Sequence, residues 1–336
     1  MPSLSATIPQ ISSTPLRLLL SSALILLVVT TAGRADGVND WLMKLDNASG
    51  NLSYEGTFVY VHGANIEVMR VIHQSNGNSV RERIYSLNGA PREIVRDAEQ
   101  VWCYLPEKKV GVHHYRQISK KSFPNILPQR LGELRANYRI ELGRNDRIAD
   151  RLTQQVLINS KDEYRYGFDL WVDVDTGLLL RATLIDTDSA PIEQYMFTNV
   201  RIGEPIAKRK FEPATAKTNL KWFDQGKKPD TGLELSKSEW RVGQVPSGFM
   251  LSNTRKRMSP TRNRMVEHHV YSDGLAAVSV FIEKNPERDT GAVSGVNRMG
   301  AVHAFGTTIG DYQVTVVGEV PAKTVDLIGM SVTPVE

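Results

Sequence analysis

The sequence predicts a mainly β protein with some helix, an α+β fold in which two groups of antiparallel strands are separated by a linker. Short runs of apolar and polar residues alternate with a period of two over much of the chain, which is the pattern of half-buried strands. Asn-Gly pairs at 76–77 and 88–89 fall between such runs and are the strongest short signal for a hairpin. Strands joined by turns this short pair as antiparallel neighbours.

The N-terminus has the pattern of a secretory signal peptide. Residues 1–35 contain no Asp or Glu, and residues 18–29 form an apolar run of about a dozen residues, shorter than the roughly 20 residues of a membrane-spanning helix. Small residues at the −3 and −1 positions, Gly33 and Ala35, predict cleavage after Ala35, with cleavage after Gly33 as the alternative. An uncleaved anchor is the other interpretation. No cysteine directly follows the apolar run, which argues against a lipoprotein anchor and favours a periplasmic protein.

Charge and cysteine content narrow the class of protein further. The formal net charge is +4, and the predicted leader carries two positive charges, Arg17 and Arg34, so the mature chain is at +2. A chain this mildly basic lacks the strong basic footprint of a nucleic-acid-binding protein. The one cysteine, Cys103, lies in an alternating run. We interpret it as a buried thiol, with an intermolecular disulfide as the alternative.

The first group of strands follows a short helix. Asp40 precedes the apolar residues of 41–45 and is predicted to cap that helix. Strands are then predicted at residues 56–62, 66–73, 79–85, 93–96, 100–105 and 110–115, and again at 153–158, 168–174, 178–186 and 192–201. Asp175-Thr176-Gly177 supplies a further turn. We assign residues 36–205 to this first domain.

A different pattern interrupts these strands at residues 119–142. Apolar residues recur there at spacings of three and four, which lines one face of a helix, and two prolines predict short helical pieces. A curved sheet covered by such a segment can enclose an apolar cavity. We therefore regard these apolar residues as candidates for a lid over such a cavity, and ordinary core residues are the alternative interpretation. The candidates are Phe123, Ile126, Leu127, Leu131 and Leu134.

A proline- and lysine-rich stretch divides the chain. Residues 206–235 are predicted to be a linker that partly packs against a domain, and residues 236–336 form the second domain. Strands are predicted there at 268–271, 277–283 and 313–320, with Asp273-Gly274 as a turn. Periodicity does not decide the structure of residues 292–304.

Catalytic signatures are mostly absent. The sequence has no G-x-S-x-G, H-E-x-x-H, G-x-G-x-x-G or Walker A pattern. Two pairs of adjacent histidines occur, His113-His114 and His268-His269. Neighbours on a strand point to opposite faces, so neither pair is suited to one metal ion. We predict no metal and no cofactor.

Basic residues cluster near position 260. A solvated surface is one interpretation, and a site for an anionic partner, such as an acidic protein segment or a phosphorylated lipid, is the other. Pro260 and Asn263 lie among the charges, so we predict a loop there. The candidate contact residues are Arg255, Lys256, Arg257, Arg262 and Arg264.

Short segments with a family signature occur along nearly the whole mature chain. They are Asp40-Trp41-Leu42, Gly56-Thr57-Phe58-Val59-Tyr60, Val80-Arg81-Glu82-Arg83, Leu87-Asn88-Gly89-Ala90, Arg165-Tyr166-Gly167-Phe168, Asp175-Thr176-Gly177-Leu178, Pro246-Ser247-Gly248-Phe249, Tyr271-Ser272-Asp273-Gly274-Leu275-Ala276, Val280-Phe281-Ile282-Glu283 and Val316-Val317-Gly318-Glu319-Val320-Pro321. In this order they resemble the RseB/MucB family of envelope-stress regulators. Each segment alone is weak, and their order and coverage make the resemblance specific.

The resemblance implies a regulator that is not an enzyme. Its first domain would be a LolA/LolB-like antiparallel half-barrel with a helical lid, followed by a smaller antiparallel β-rich domain. Such a protein binds the periplasmic domain of a membrane-spanning anti-sigma factor (RseA/MucA type) and shields it from regulated proteolysis. Binding of lipid or lipopolysaccharide is then expected to release the protein from the anti-sigma factor. A homodimer is possible as well.

Two other classes of function are kept beside the regulator. A periplasmic lipid or lipoprotein carrier of the LolA/LolB type would use the same first domain, although it would not need the basic second domain. An envelope enzyme is the third class. His268 and His269 are its best candidate residues, and the sequence places no nucleophile or carboxylate that identifies a catalytic site beside them.

Overall fold

The structure is a computed structural model that describes residues 32–75, 79–115, 131–216, 219–224, 238–258, 264–284 and 294–335. The chain divides into two compact units, Met1–Gly37 and Val38–Glu336, and the second contains the sheets described below. Its helices are α1 (Ala32–Asn51), α2 (Leu131–Asn137) and α3 (Ala322–Met330), with 3₁₀ turns at Pro106–Lys108 and Lys208–Phe211.

Strands make up most of the rest of the second unit. They are β1 (Tyr54–His62), β2 (Asn65–Ser75), β3 (Val80–Ser86), β4 (Glu93–Arg96), β5 (Gln100–Leu105), β6 (Val110–Tyr115), β7 (Tyr138–Ile148), β8 (Arg151–Ser160), β9 (Gly167–Asp173), β10 (Leu179–Ile185), β11 (Pro191–Ile202), β12 (Lys221–Asp224), β13 (Trp240–Val242), β14 (Met250–Met258), β15 (Met265–Ser272), β16 (Ala277–Lys284), β17 (Gly295–Met299), β18 (Val302–Ile309), β19 (Tyr312–Gly318) and β20 (Val332–Pro334).

These strands form a large sheet and a smaller one. The large sheet has 12 strands in the order β12-β6-β5-β4-β3-β2-β1-β11-β10-β9-β8-β7, and the small sheet has six in the order β14-β15-β16-β19-β18-β17. β13 and β20 make a separate two-stranded sheet. The prediction of a mainly β chain with a large and a smaller sheet is confirmed. One pairing differs, because β12 lies parallel to β6.

Helix α1 contributes one wall of the core over the large sheet. Val38, Leu42 and Leu45 recur at spacings of four and three and are buried against Ile158 and Leu170. The sequence predicted Asp40 as the cap of this helix, and that prediction is wrong. Asp40 lies inside α1 because Val38, two residues earlier, already belongs to the buried helical face.

The region predicted as helical pieces is only partly helical. Residues 131–137 form α2, and Tyr138 begins strand β7. Tyr138 and Ile140 are buried, whereas the residues that follow each of them, Arg139 and Glu141, are exposed. This is the alternation of a strand. The helical interpretation of residues 138–142 is therefore wrong, because burial there follows a period of two.

The predicted linker packs on the large sheet where the structure describes it. Phe211 is buried, and Lys210 donates to the carboxylate of Glu55 in β1. Further along, β12 pairs with β6, and Trp222 fills the space above Gly111, where an added Cβ would lie 2.7 Å from the indole ring. Gly111 is therefore required for this close approach.

The small sheet has its own apolar core. Val278, Val280 and Val316 are fully buried on one face, and α3 covers them with Val325 and Ile328. The sequence analysis did not predict α3, and it left residues 292–304 undecided. The structure places β17 and the start of β18 in that stretch.

Candidate functional site

Strands β3 to β6 present a continuous apolar surface on one side of the large sheet. Ile84, Ile94, Cys103 and Val112 lie directly opposite one another in register, so their side chains share one face. Leu105, two residues after Cys103, continues this face. Ile84 is buried, whereas the other four are half-buried. We call these five residues the apolar face.

A pocket with several charged side chains in its lining lies at one end of the apolar face. Its volume is about 540 Å³, within the range of small-molecule sites. We call it the mouth pocket. It is lined by His62, Asn65, Ile66, Glu67, Ser86, Asn88, Gly89, Ala90, Pro91, Arg92, Leu105, Glu107 and Lys108. Leu105 belongs to both features, so the pocket and the apolar face are continuous.

Ion pairs order one side of the mouth pocket. Nη2 of Arg92 lies 2.6 Å from the carboxylate of Glu67, and Nε2 of His62 lies 3.5 Å from the other oxygen of that carboxylate. Burial raises the pKa of the Cys103 thiol, and the positive charge of Arg92 opposes that increase. Arg92 therefore lies near the apolar face as well as in the pocket.

The candidate lid residues have different positions. Phe123, Ile126 and Leu127 lie outside the described residues, between the end of β6 and the start of α2. Leu131 begins α2, although its side chain is also outside the description. Leu134 is 1% exposed and belongs to the core beneath α1. Its position agrees with the alternative interpretation of an ordinary core residue.

The basic cluster is not a loop as predicted. Arg255, Lys256 and Arg257 lie in β14, the outer strand of the small sheet, because the turn-forming residues Pro260 and Asn263 fall after the strand ends. Adjacent strand residues face opposite sides, so the cluster does not form one surface. Its remaining members are Arg264, which is half-buried just before β15, and Arg262, which lies outside the described residues.

The two basic side chains of β14 whose burial the structure describes differ in their surroundings. Arg255 is exposed. Lys256 donates to the carboxylate of Glu239 at 2.9 Å and lies 3.5 Å from Glu267, and the hydrogen bond that it donates to Glu239 raises the pKa of Lys256. Lys256 is half-buried and engaged within the domain, and Arg255 is the more exposed of the two side chains.

The side chains of Ser238, His269 and Glu267 lie close together beside β14, a cluster that the sequence did not indicate. Nε2 of His269 lies 2.7 Å from Glu267 and 3.2 Å from the Ser238 hydroxyl, and that hydroxyl also donates to Glu267. A catalytic triad places the serine and the acid on different ring nitrogens. Here both partners contact Nε2, and the buried Nδ1 has no hydrogen-bond partner in the part of the chain that is described. The arrangement is not that of a triad.

The large and small sheets are joined through a buried arginine. The side chain of Arg165 is fully buried, and it donates to Asp273 at 2.5 Å and to the Ser247 carbonyl at 2.5 Å. Its Nε donates to Asp162 at 3.1 Å. The Tyr138 hydroxyl donates to the same carboxylate oxygen of Asp273 at 2.9 Å. Burial, followed by the charge of Asp273, raises the pKa of Tyr138 and keeps it a donor.

Packing around Arg165 restricts the neighbouring loop. The guanidinium lies over the rings of Phe249 and Tyr138, at 5.0 and 5.6 Å from their centroids. Gly248 has a φ of +83°, and an added Cβ would lie 2.1 Å from Nδ2 of Asn137. Only glycine fits this position without displacing its neighbour.

Sequence reasoning missed this junction, although a signal was present. Arg165, Ser247, Phe249 and Asp273 belong to three separate segments that carry the family resemblance. They were interpreted as turns and strands. The structure brings all three segments to one buried contact, so the resemblance already contained the residues of the junction.

Comparisons with known proteins agree with this two-sheet organisation. The chain matches the MucB/RseB N-terminal domain over residues 37–215 and the MucB/RseB C-terminal domain over residues 234–333. The chain belongs to the MucB/RseB family. The sequence resemblance to that family is thereby confirmed.

Curated MucB/RseB relatives are similar over nearly their whole length. The sigma factor AlgU regulatory protein MucB of Pseudomonas aeruginosa is 29% identical over 327 residues, which cover 96% of this chain and 98% of the relative. The sigma-E factor regulatory protein RseB of Salmonella typhimurium is 27% identical over 293 residues, covering 87% and 89%. The names of these relatives describe regulators of sigma factors.

Solved MucB structures share the fold. MucB in complex with MucA(peri) is 27% identical with a TM-score of 0.68, and the match covers 89% of this chain and 99% of that one. The complex of MucA and MucB from Pseudomonas aeruginosa gives 28% identity and a TM-score of 0.69, with the same coverage. Among the helices that the structure describes, none is both long and apolar enough to cross a membrane.

Proposed function

We propose that this chain acts in the periplasm, where it binds the periplasmic domain of a membrane-spanning anti-sigma factor of the RseA/MucA type. Binding protects that domain from regulated proteolysis and so keeps the envelope-stress sigma factor inactive. The observation that carries the proposal is the match to 99% of a MucB chain solved with MucA(peri). A match of that extent includes both sheets rather than one shared domain.

Lipid or lipopolysaccharide binding is the proposed trigger for release. The apolar face and the mouth pocket support it, because together they offer an apolar surface beside charged groups. A lipid can shift the complex toward release only if it binds the released state more tightly than the complexed state. The apolar residues 123, 126 and 127 are proposed as the cover of this face, since their segment directly follows β6.

An anionic contact is proposed at β14. Arg255 is exposed on an outer strand, where an extended acidic segment has access to both its charge and the strand edge. Arg257 is two residues away on the same strand and is assigned to the same contact. Arg264 and Arg262 stay secondary candidates.

A non-enzymatic role is the third component of the proposal. The relatives' names describe regulation. The one Ser-His-Glu group found behind β14 has both partners on the same ring nitrogen, which does not support acid–base relay. Replacing His268 and His269 with alanine is expected to leave regulation intact.

A lipid or lipoprotein carrier is the second candidate function. The apolar face favours a carrier, because a lipid carrier needs an apolar surface on which the acyl chains can lie. The small sheet and its junction with the large one favour the regulator instead. Capture of the anti-sigma periplasmic domain separates the two, since a carrier would not bind it.

The deciding experiment measures regulated proteolysis of the anti-sigma periplasmic domain with and without the mature chain. We expect the chain to slow degradation and lipopolysaccharide to restore it. Pull-down at micromolar concentration is the parallel binding assay. Absence of binding and of protection would reject the regulator and leave the carrier, whereas protection that lipid does not reverse would reject only the proposed trigger.

A further inference from the structure

The linker adds an aromatic side chain to the apolar face. Phe223 in β12 lies directly opposite Val112 in β6, so the two side chains are on the same side of the sheet. Val112 is in turn opposite Cys103, and one row of the apolar face therefore continues into the linker. Because β12 is the outermost strand and Phe223 is 45% exposed, this ring lies at the rim of the face. A ligand that covers Val112 therefore reaches a residue of the linker.

Trp222, the preceding residue, holds β12 from the opposite side of the sheet. Its indole fills the notch left by Gly111 and meets the buried ring of Tyr104 edge-on, with the ring centroids 5.3 Å apart. The backbone attachment is weak, since β12 has four residues, pairs with one neighbour and is parallel to it. The hold of β12 on the sheet therefore depends mainly on Trp222.

The part of the linker before β12 is attached by both polar and apolar groups. Phe211 is buried on the large sheet. Arg83 donates to the Lys210 carbonyl at 3.1 Å, and the N–H of Ala214 donates to Glu93 at 3.0 Å. β12 can therefore leave β6 while the linker stays anchored to the large sheet before it.

Beyond β12 the chain reaches the small sheet at Ser238. The Ser238 hydroxyl lies 3.2 Å from Nε2 of His269 and donates to Glu267, and both of these residues belong to β15. β15 pairs with β14, the strand that carries the proposed anionic contact. β12 is therefore an attachment between the large sheet and the strands that are proposed to meet the partner.

We propose that β12 is a latch that relays occupancy of the apolar face to the small sheet. A lipid chain over Val112 competes with the Phe223 ring for the rim, so lipid binds more tightly when β12 has left β6. Trp222 then leaves the Gly111 notch, β15 loses its tie to the large sheet through β12, and the anti-sigma domain is released. The latch rests on the proposed lipid trigger and specifies the element that transmits it.

Substitutions on the two sides of β12 should change the lipid response in opposite directions. Trp222→Ala weakens the latch, so half-release of the anti-sigma domain should need about tenfold less lipopolysaccharide. Phe223→Ala removes the competing ring while Trp222 keeps β12 in place, so half-release should need about tenfold more. Trp222→Phe, which keeps a ring in the notch, should shift release less than Trp222→Ala and in the same direction. Leu152→Ala is the matched control, because Leu152 is a similarly exposed apolar residue elsewhere on the large sheet.

A disulfide across the latch provides a second test. Asp224 is opposite His113 in the register of β12 and β6, and His113 follows Val112, so it is on the side away from the apolar face. The variant is His113→Cys, Asp224→Cys in a Cys103→Ser background, which leaves one pair of cysteines. The oxidised protein should capture the anti-sigma domain, and lipopolysaccharide should not release it. Reduction of the same protein, which is the matched control, should restore release.

Hydrogen exchange of the full mature chain reports the latch without the anti-sigma domain. The N–H of Lys221 donates to the Lys109 carbonyl at 2.9 Å. Exchange in a peptide covering residues 219–224 should become about tenfold faster when lipopolysaccharide is added.

Three results would overturn the latch. They are unchanged exchange of β12 with lipopolysaccharide, release from the oxidised protein, and shifts of the same sign in Trp222→Ala and Phe223→Ala. Circular dichroism of each variant establishes that it is folded. Capture and lipid release of the wild type, run on the same samples, separate the proposals, because normal release with unchanged exchange rejects the latch and leaves the lipid-triggered regulator.

Discussion

Arg165 is a charged residue whose side chain is completely removed from water. Its side chain is fully buried and so is that of Asp273, its partner across the junction. Removing one partner of a buried ion pair leaves an uncompensated charge and costs about 3–5 kcal/mol. The Tyr138 hydroxyl also loses its ordered acceptor if Asp273 moves.

We expect Arg165→Met to lower the free energy of unfolding by about 3–5 kcal/mol, measured by urea titration. The double variant Arg165→Met, Asp273→Asn should recover part of this loss, because no unpaired charge remains. Arg147→Met is the control, since its pair with Asp150 is exposed and is expected to change stability by about 0–1 kcal/mol. A loss below about 1 kcal/mol for Arg165→Met would contradict the role assigned to the pair.

Glu55 gives a second prediction for single residues, one that depends on pH. Burial would raise the pKa of this carboxyl, but hydrogen bonds from Lys210, Arg201 and Arg70 outweigh burial and lower it from 4.5 to about 2. The folded protein therefore keeps the carboxylate ionised where the unfolded chain is already protonated. The resulting stability is complete above pH 4.5 and is lost as the pH falls toward about 2.

Replacing Glu55 with Gln should remove this pH-dependent contribution. The difference in unfolding free energy between wild type and Glu55→Gln should be largest near neutral pH and shrink between pH 4.5 and about 2. It should amount to less than about 3 kcal/mol, because solvent screens the partly exposed Lys210 and Arg201. Glu204→Gln, at the exposed end of the same network, should show no such trend. A constant difference across this range would contradict the prediction.

The burial of Leu134 in helix α2 separates this residue from the other lid candidates. Leu134 is 1% exposed within the core, so Leu134→Ala is expected to lower the free energy of unfolding by about 2–5 kcal/mol. The sequence had instead suggested an effect mainly on lipid response. Thermal unfolding of Leu134→Ala beside Phe123→Asp is the measurement. If only the Leu134 variant is destabilised, the lid prediction is confined to residues 123–127.

Strand β14 carries the element-level prediction for partner binding. Arg255→Glu should weaken capture of the anti-sigma domain by about three- to tenfold at low salt, and the difference should narrow as salt screens the charge. Arg241→Glu on β13 is the matched control, since it reverses an exposed charge elsewhere in the same domain. Equal affinities of both variants and wild type at low salt would exclude β14 from the contact.

Short strands that are bounded by turns were predictable from the local sequence. The bounds of β4, β5 and β6 agree with those predicted from the sequence, because each is short and ends at a turn. The missed elements depend on tertiary contacts. The parallel pairing of β12 requires Trp222 to cover Gly111, and α3 is stabilised by the core of the small sheet. Local periodicity contains no information about either contact.

The candidate site was predictable only in part, for the same reason. Alternation correctly placed Cys103 in a strand, but the sequence predicted a buried thiol and the structure has this side chain half-buried. The neighbours of Cys103 on the apolar face come from four different strands, and register is set by the whole sheet. Arg165 and Asp273 are 108 residues apart, and only the assembled fold shows that the arginine is buried.

At the scale of the two sheets together, the junction combines a small apolar contact, the buried ion pair and several hydrogen bonds and exposed ion pairs. Tyr166, Leu184 and Ala301 form the apolar part between the two sheets. Such a contact alone is limited in area, so coupling between the sheets depends strongly on the network around Arg165. Both sheets should therefore unfold together in the wild type and separately when the network is broken.

We expect calorimetry of the mature wild-type chain to show one transition, with a van't Hoff enthalpy close to the calorimetric enthalpy. Arg165→Met should split it into two, because the small sheet retains its own core of Val280, Val316 and Ile328 while losing its tie to the large sheet. The matched control is Lys323→Ala, which removes an exposed ion pair to Glu163 across the same junction and should leave one transition. One transition in Arg165→Met, or two in the wild type, would show that the buried arginine does not couple the sheets.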